Sequence, residues 1–306
     1  MPGLLLFLAK RYTTGETKEA IMTEIIPALS HLGDRYDAVF CDLWGCLHNG
    51  KTPYPAAVAA LQAFRAQGGK VALVTNAPRP NATVIAQLDR MGVPRDAWDI
   101  VVSSGDATQT AMLNGAVGQK VFHIGAVKDE DFFTILPEGA VAPERVGLLD
   151  AEGIICTGLE DDLTETPEDY RAQLLLGKTR GLTMLCANPD IIVDMGDKRL
   201  YCAGAIAGAY EDMGGTALYF GKPHPPIYDL ARKKLGLTDP QILCIGDGIG
   251  TDIAGGMSEG LDTLFITAGL AADQFGPDVA NPDEALLAAW LEDRQIYPTY
   301  AMGFLR

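Results

Sequence analysis

Apolar runs of about four residues recur at 38–41, 71–74, 100–102, 242–245 and 263–266, and none of them alternates with polar positions. A strand with one face in water alternates; a strand covered on both faces reads as an unbroken apolar run, as in a parallel sheet. Between the runs the apolar spacing lengthens to that of a helix. Val58, Leu61 and Phe64 precede Gly68, and Ile227, Leu230, Ala231 and Leu235 precede Gly236, the second set opened by Pro225-Pro226. Proline at the first helical turn and glycine past the last are the ordinary start and stop signals. Strand and helix therefore alternate, which predicts an α/β fold built on a doubly wound parallel sheet.

The stretch 116–204 interrupts that core. It carries two further strand-like runs, Gly153-Ile154-Ile155-Cys156 and Thr183-Met184-Leu185-Cys186, an acidic turn at Glu160-Asp161-Asp162, and the turn Asn188-Pro189-Asp190. The expected organisation is a lead-in over 1–33, a first core part over 34–115, an inserted α/β domain over 116–204, and a second core part over 205–306. The insertion is expected to fold over the functional site as a lid.

Four stations stand at strand ends or tight turns. Asp42 closes the run 38–41 and opens Leu43-Trp44-Gly45-Cys46-Leu47-His48-Asn49-Gly50; Thr75-Asn76 follows 71–74; Lys222 lies in Gly221-Lys222-Pro223; Asp247 and Asp252 lie in Gly246-Asp247-Gly248-Ile249-Gly250-Thr251-Asp252. In open α/β sheets ligands bind beyond the carboxyl ends of the strands, where Asp42, Thr75 and Asp247 fall. Taken singly, each station is an ordinary turn. Together they supply a carboxylate able to attack phosphorus and hard oxygen ligands for Mg²⁺ in Asp42 and Asp247. Lys222 can neutralise phosphoryl oxygens, and the Thr75 hydroxyl and the N–H groups around Trp44, Gly45 and Asn76 can donate to them. The 246–250 glycines lack the last glycine of a dinucleotide loop, and Asp247 there would repel a pyrophosphate.

Charge narrows the partners. With 40 acidic against 24 basic residues, the net charge of −16 disfavours nucleic acid and anionic membrane surfaces. The six cysteines form no CxxC pair, and Cys41, Cys186 and Cys244 lie in apolar runs as small buried hydrophobes, which points to a reducing cytoplasm. Leu4-Leu5-Leu6-Phe7-Leu8 is too short to span a bilayer, and Lys10 and Arg11 follow it where a signal peptide would place charge before it. Met22 is an alternative start of the natural chain.

The ordered set DLWGCLHNG, VTNAPRP, ANPD, GKPHPPIY and GDGIGTD resembles the haloacid dehalogenase superfamily of hydrolases, and within it subfamily IIA, the NagD-like phosphatases. The resemblance covers nearly everything after residue 34. It implies Asp42 as nucleophile, and Mg²⁺ on Asp42, Asp247 and the Trp44 backbone carbonyl with Asp252 supporting from outside. It also implies a C2-type cap at 116–204, with homodimers paired through that cap as in some relatives. Cap residues Glu160, Asp161 and Asp190 are expected to face the substrate.

One departure changes the picture. The family places a second Asp two residues after the nucleophile, where it protonates the leaving oxygen and then activates water; here that position is Trp44. An indole N–H does not titrate usefully, and losing general acid–base help costs on the order of 10²–10⁴-fold in rate. His48 on the same loop, and more distantly His224, are the histidines placed to substitute; His31 and His123 are not. Without a substitute, aryl and acyl phosphates should react faster than sugar phosphates. The sequence thus reads as a Mg²⁺-dependent phosphatase acting on a small phosphorylated sugar or nucleotide through a phospho-Asp42. The alternative is a phosphate-binding regulatory module that has kept its metal site and lost turnover.

Overall fold

The computed structural model describes residues 23–195 and 198–306; the alternative start at Met22 lies outside them. Along the described chain the strands are β1 (Glu24–Ile25), β2 (Ala38–Cys41), β3 (Lys70–Thr75), β4 (Ile100–Ser103), β5 (Lys120–Ile124), β6 (Glu144–Arg145), β7 (Gly153–Cys156), β8 (Thr183–Cys186), β9 (Ile192–Met195), β10 (Lys198–Tyr201), β11 (Thr216–Tyr219), β12 (Ile242–Gly246), β13 (Asp262–Ile266) and β14 (Tyr300–Met302). Seven of them form one sheet in the order β1-β14-β13-β12-β2-β3-β4, parallel throughout. All five runs expected as strands are strands of this sheet. They read as unbroken apolar runs because both faces are covered. Val39, Cys41, Val71, Leu73, Leu243 and Ile245 point to one core, which includes Leu61 of helix Pro55–Ala66 and Leu88 of helix Asn81–Met91. Ala38, Phe40, Ala72, Val74, Ile242 and Cys244 point to the other core, capped by Ile227, Tyr228 and Ala231 of helix Pro225–Leu235. Successive residues alternate between faces, so a strand buried on both sides has no polar position. Helices Pro55–Ala66 and Pro225–Leu235 start with proline in the first turn, and the latter ends on Gly236 at φ 66°.

After the edge strand β1 the chain crosses to the centre of the sheet at β2, and from the centre it builds outward in two directions. From β2 it moves outward through β3 and β4, and from β12 it moves the other way through β13 and β14. Neighbouring β2 and β12 are in register, Cys41 opposite Ile245, and the Asp42 N–H donates to the Ile245 carbonyl at 2.9 Å. The loops after β2 and β12 therefore diverge from one topological switch point, the place where such sheets bind ligands.

A second sheet, β11-β8-β7-β5-β6, is also parallel, and β9 and β10 form an antiparallel hairpin beside it. Its extent corrects the expected boundary at 204. Helix Ala203–Asp212 buries Ile206, Ala207 and Tyr210 against this second core, Tyr210 Oη donates to the Leu182 carbonyl at 2.5 Å, and β11 pairs with β8. The run Thr216-Ala217-Leu218-Tyr219 is too short and too mixed to announce which sheet it joins. The lead-in 1–33 needs the same adjustment at its described end. Glu24–Ile25 pairs with Tyr300–Ala301, and Leu29 and Leu32 are buried in the first core. A two-residue edge strand carries no periodicity to read. None of the helices among the described residues is long and apolar enough to cross a membrane.

Asp99 ties the inlet side of the core sheet together. Its carboxylate accepts from Arg65 Nε and Nη2 at 2.9 and 2.8 Å, from the Val71 N–H at 2.8 Å and from Lys70 Nζ at 3.3 Å. Burial opposes its ionisation, but these donors outweigh it and hold the pKa below the ordinary value. The stabilisation is thus present above the ordinary carboxylate pKa and lost as pH falls through the lowered one. Asp99→Ala should cost about 1.5–3 kcal/mol at neutral pH, read from urea unfolding, with the deficit shrinking as the wild type is acidified; a deficit independent of pH would refute the charge-based account.

Candidate active site

Asp42 follows β2 and Asp247 follows β12, so register alone places the two carboxylates side by side. Both are buried, as are Thr75, Asn76, Lys222 and Asp252. A buried charge needs a partner, and Lys222 provides it: Nζ lies 2.6 Å from Asp42 Oδ1 and 2.6 Å from Asp252 Oδ1. Asn76 positions this lysine through its backbone. Its Oδ1 accepts from the Lys222 N–H at 2.7 Å, and its Nδ2 donates to the Lys222 carbonyl at 3.0 Å. Asp252 Oδ2 accepts from Thr251 Oγ1 and the Gly248 N–H at 3.2 and 3.3 Å, which closes the 246–252 loop beneath the ammonium. Thr75 Oγ1 accepts from the Ala77 N–H at 3.2 Å, leaving its proton to donate elsewhere.

The electrostatics leave the cluster short of positive charge. Burial works against the Lys222 ammonium, but Asp252 and Asp42 override it and hold its pKa well above the ordinary lysine value. Burial pushes the Asp42 carboxyl up, with Lys222 opposing. Asp247 is raised well above its ordinary value, first by burial and then by the like charges of Asp42 and Asp252. Asp252 is raised to about 6 by the same two causes, burial and Asp42. Three carboxylates facing one ammonium favour a bound cation. The donor set fits a hard one: oxygens of Asp42 and Asp247 lie with Cys46 Sγ in one group whose atoms are all within 4.8 Å of one another. Burial, then Asp247 and Asp42, push the Cys46 thiol far up, so it remains protonated beside the oxygens. Glycines let the loops close on Asp247. A Cβ on Gly45 or on Gly269 would lie 2.0 Å from Asp247 Oδ2, and Gly45 sits at φ 72°. The Leu270 N–H then donates to that oxygen at 3.0 Å.

Several expected roles change on inspection. The Gly45 N–H donates to the His48 carbonyl at 3.0 Å, so Gly45 serves the site by lacking a Cβ rather than by offering its amide to phosphate. His48 is buried, its Nδ1 accepts from the Gly50 N–H at 3.0 Å, and its ring meets Trp44 edge to face at 5.5 Å. Burial lowers its pKa to about 4. An imidazole that is neutral at pH 7, with Nδ1 already accepting, keeps only its Nε2 proton, which is too weakly acidic for general-acid catalysis; His48 holds the loop. Trp44 packs over the loop, and a Cβ on Gly50 would lie 2.3 Å from its ring. His224 stacks on Tyr219 at 4.9 Å.

Of the acidic residues expected to face the site from the second sheet, the structure brings Asp190, whose Oδ1 accepts from Asn76 Nδ2 at 2.8 Å. Glu160 and Asp161 are exposed, and the Asp161 carboxylate closes its own turn on the Leu163 N–H and Thr164 Oγ1. One chain of polar groups was missed. At the carboxyl ends of β5 and β7, His123 Nε2 lies 2.9 Å from Thr157 Oγ1, which donates to the buried Asp129 at 2.9 Å. Thr157-Gly158 after an apolar run was the available signal, parallel to Thr75-Asn76; the strand bearing His123 escaped because Lys120 and His123 break its apolar pattern.

Comparison with known proteins places the family and the fold. The sequence profile of haloacid dehalogenase-like hydrolases matches residues 39–135, and a HAD-hydrolase-like profile matches 219–287. A haloacid dehalogenase-like hydrolase from Brucella suis 1330 is 41% identical, covering 92% of this chain and 100% of its own, with a TM-score of 0.78. The acid sugar phosphatase of Staphylococcus aureus is 26% identical over 239 residues, 78% of this chain and 88% of its own. A glycerol phosphate phosphatase from Mycobacterium tuberculosis, solved in complex with magnesium, shares the fold at 23% identity and a TM-score of 0.66, over 92% of this chain and 78% of its own.

Proposed function

The chain belongs to the haloacid dehalogenase-like hydrolases, and from that premise we propose that it is a Mg²⁺-dependent phosphatase. Its substrate is a small phosphorylated metabolite of the sugar or nucleotide kind, hydrolysed through an aspartyl-phosphate on Asp42. The observation that carries this reading is the Lys222 ammonium 2.6 Å from both Asp42 and Asp252, with Asp247 beside them at the switch point. Lys222 favours the ionised form of Asp42 against the effect of burial and aligns it, as an attacking oxygen requires. As the Asp42–phosphorus bond forms and the ester bond breaks, charge gathers on the phosphoryl oxygens, and Lys222 and the Thr75 hydroxyl are the donors at hand to meet it. Asp42, Asp247 and the Trp44 carbonyl are the groups that would hold Mg²⁺, with Asp252 supporting. Bound there, the ion supplies Lewis-acid neutralisation of the phosphoryl oxygens. The acid sugar phosphatase of Staphylococcus aureus, 26% identical to this chain, supports the substrate class.

A panel of phosphate esters assayed with and without Mg²⁺ tests the reading directly. Asp247→Asn removes one of the two carboxylates proposed for the ion. In the wild type, saturating Mg²⁺ at about 100 times its Kd should add about 2.7 kcal/mol of stability, and the variant should lose most of that thermal shift together with metal-dependent turnover. Turnover indifferent to both chelation and Asp247→Asn would remove magnesium from the mechanism.

A further inference from the structure

Replacement of the family's second aspartate by Trp44 leaves a proton to be found. A substitute must titrate, must reach the leaving group from the side opposite the metal-binding carboxylates, and must not already be committed as a ligand. Asp247 and Asp42 fail the last condition, Asp252 is taken up by Lys222, and His48 is neutral with its Nδ1 occupied. On the second sheet, Glu160 and Asp161 stand exposed, whereas Asp190 bonds to Asn76 of the core.

Asp190 follows β8 in a turn wedged against the core. Its N–H donates to Asn188 Oδ1 at 3.0 Å. A Cβ on Gly204 would lie 2.2 Å from the Pro189 carbonyl oxygen, and a Cβ on Gly221, next to Lys222, would lie 2.6 Å from Pro189 Cδ. The turn can therefore approach the site only because both positions are glycine. One amide then joins the two halves of the molecule: Asn76 Nδ2 donates to the Lys222 carbonyl at 3.0 Å and to Asp190 Oδ1 at 2.8 Å. Among the described residues the other Asp190 oxygen has no hydrogen-bond partner, and the side chain is only partly covered. The charged and titratable groups around it are Lys222, Asp252 and Asp42 of the core and Cys202 and Cys186 of the second sheet. Burial raises its pKa, with Asn76 and Lys222 opposing and Asp252 assisting.

We propose that Asp190, carried in from the second sheet, is the proton carrier that stands in for the missing aspartate at Trp44. The proposal rests on the phosphatase reading and extends it. In the first half-reaction, Asp42 bonds to phosphorus while the ester P–O bond breaks, and the departing oxygen takes the proton from the free oxygen of Asp190. In the second, the Asp190 carboxylate takes a proton from water as the water oxygen bonds to phosphorus and the Asp42–phosphorus bond breaks. The acid returns to its starting form. Because the acid arrives on the turn that also seats the two halves together, protonation becomes available only with the second sheet docked on the core.

The experiment compares nitrophenyl, sugar and simple alkyl phosphates on the full chain with Mg²⁺, for wild type and Asp190→Asn, with thermal unfolding as the control for folding. Wild-type rates should depend only shallowly on the leaving group. In Asp190→Asn, nitrophenyl phosphate, whose leaving group needs no proton, should give a burst of about one nitrophenolate per site, then steady turnover slower by about 10²–10⁴-fold. Alkyl phosphate should lose turnover to the same extent with no burst. A positioning role would erase burst and steady state together on both esters, and that result with a folded variant overturns the proposal. A variant as active as wild type on alkyl phosphate overturns it too. Should Asp190→Asn fail to fold, the wild-type series still decides, because a steep leaving-group dependence means no group protonates the leaving oxygen. Wild type that hydrolyses no ester in the panel overturns the phosphatase reading itself, and the proposal with it.

Discussion

Asp42→Asn should lower kcat on every phosphate ester by on the order of 10⁵-fold, the scale on which covalent enzymes lose activity when their nucleophile is removed. The amide matches the carboxylate in shape but cannot attack phosphorus. The loss should be chemical and not structural, because Asp252 stays 2.6 Å from Lys222 Nζ and the buried ammonium keeps a partner. The substitution also takes away one of the like charges that raise Asp247, so the metal-free variant should unfold at a temperature no lower than the wild type. Rapid-quench mass measurement should find phosphate on Asp42 in the wild type and none in the variant. Phosphate found on another residue, or a variant with activity within about tenfold of wild type, a difference of only about 1.4 kcal/mol in barrier, would eliminate Asp42 as nucleophile.

Lys222→Met should do the most damage to stability. It leaves Asp42 and Asp252 buried without a cation, and breaking a buried ion pair from one side costs about 3–5 kcal/mol. Activity should fall at least about 10²–10³-fold, as when a single preorganised charge-stabilising donor is lost. The pH dependence gives the sharper signature. Lys222 has its pKa raised in the folded state, so its stabilisation is complete below the ordinary lysine value and is lost only as pH rises through the raised one. Asp252 is also raised, to about 6 even with Lys222 present, so its contribution is present below the ordinary carboxylate value and lost as pH rises through about 6. Without Lys222 the carboxylates should take up protons at still higher pH. The variant's deficit against wild type should therefore shrink between about pH 8 and about pH 5, as these carboxylates protonate in the folded state. Urea unfolding at several pH values in chelator measures this, and a deficit that widens on acidification would contradict the assigned partners of Lys222.

The core sheet was legible because its strands are covered on both faces, and that burial writes itself into adjacent residues. Runs such as Ala38–Cys41 and Ile242–Gly246 need no distant information to be read, and a carboxylate closing such a run stands out against it. Asp42, Asp247 and the Thr75-Asn76 pair could be found in this way, and Cys41, Cys186 and Cys244 are buried and free as their apolar runs suggested. What could not be read depends on contacts between residues far apart in the chain. The two-residue strand Glu24–Ile25 is held by Tyr300–Ala301, β11 belongs to the second sheet only through its pairing with β8, and His123 gains meaning only beside Thr157.

The sequence by itself determined the parallel α/β core, the order of its chemical stations and the absence of an aspartate at Trp44, since each is a matter of local pattern. Only the tertiary structure decided that Lys222 is shared between Asp42 and Asp252, that His48 braces its loop as a neutral ring, and that Asp190 reaches the site through Asn76. Charge and hydrogen bonding act over a few ångströms of space, whereas Asn76 and Asp190 are separated by 114 positions of chain. The folding of two sheets against each other is what turns the second distance into the first.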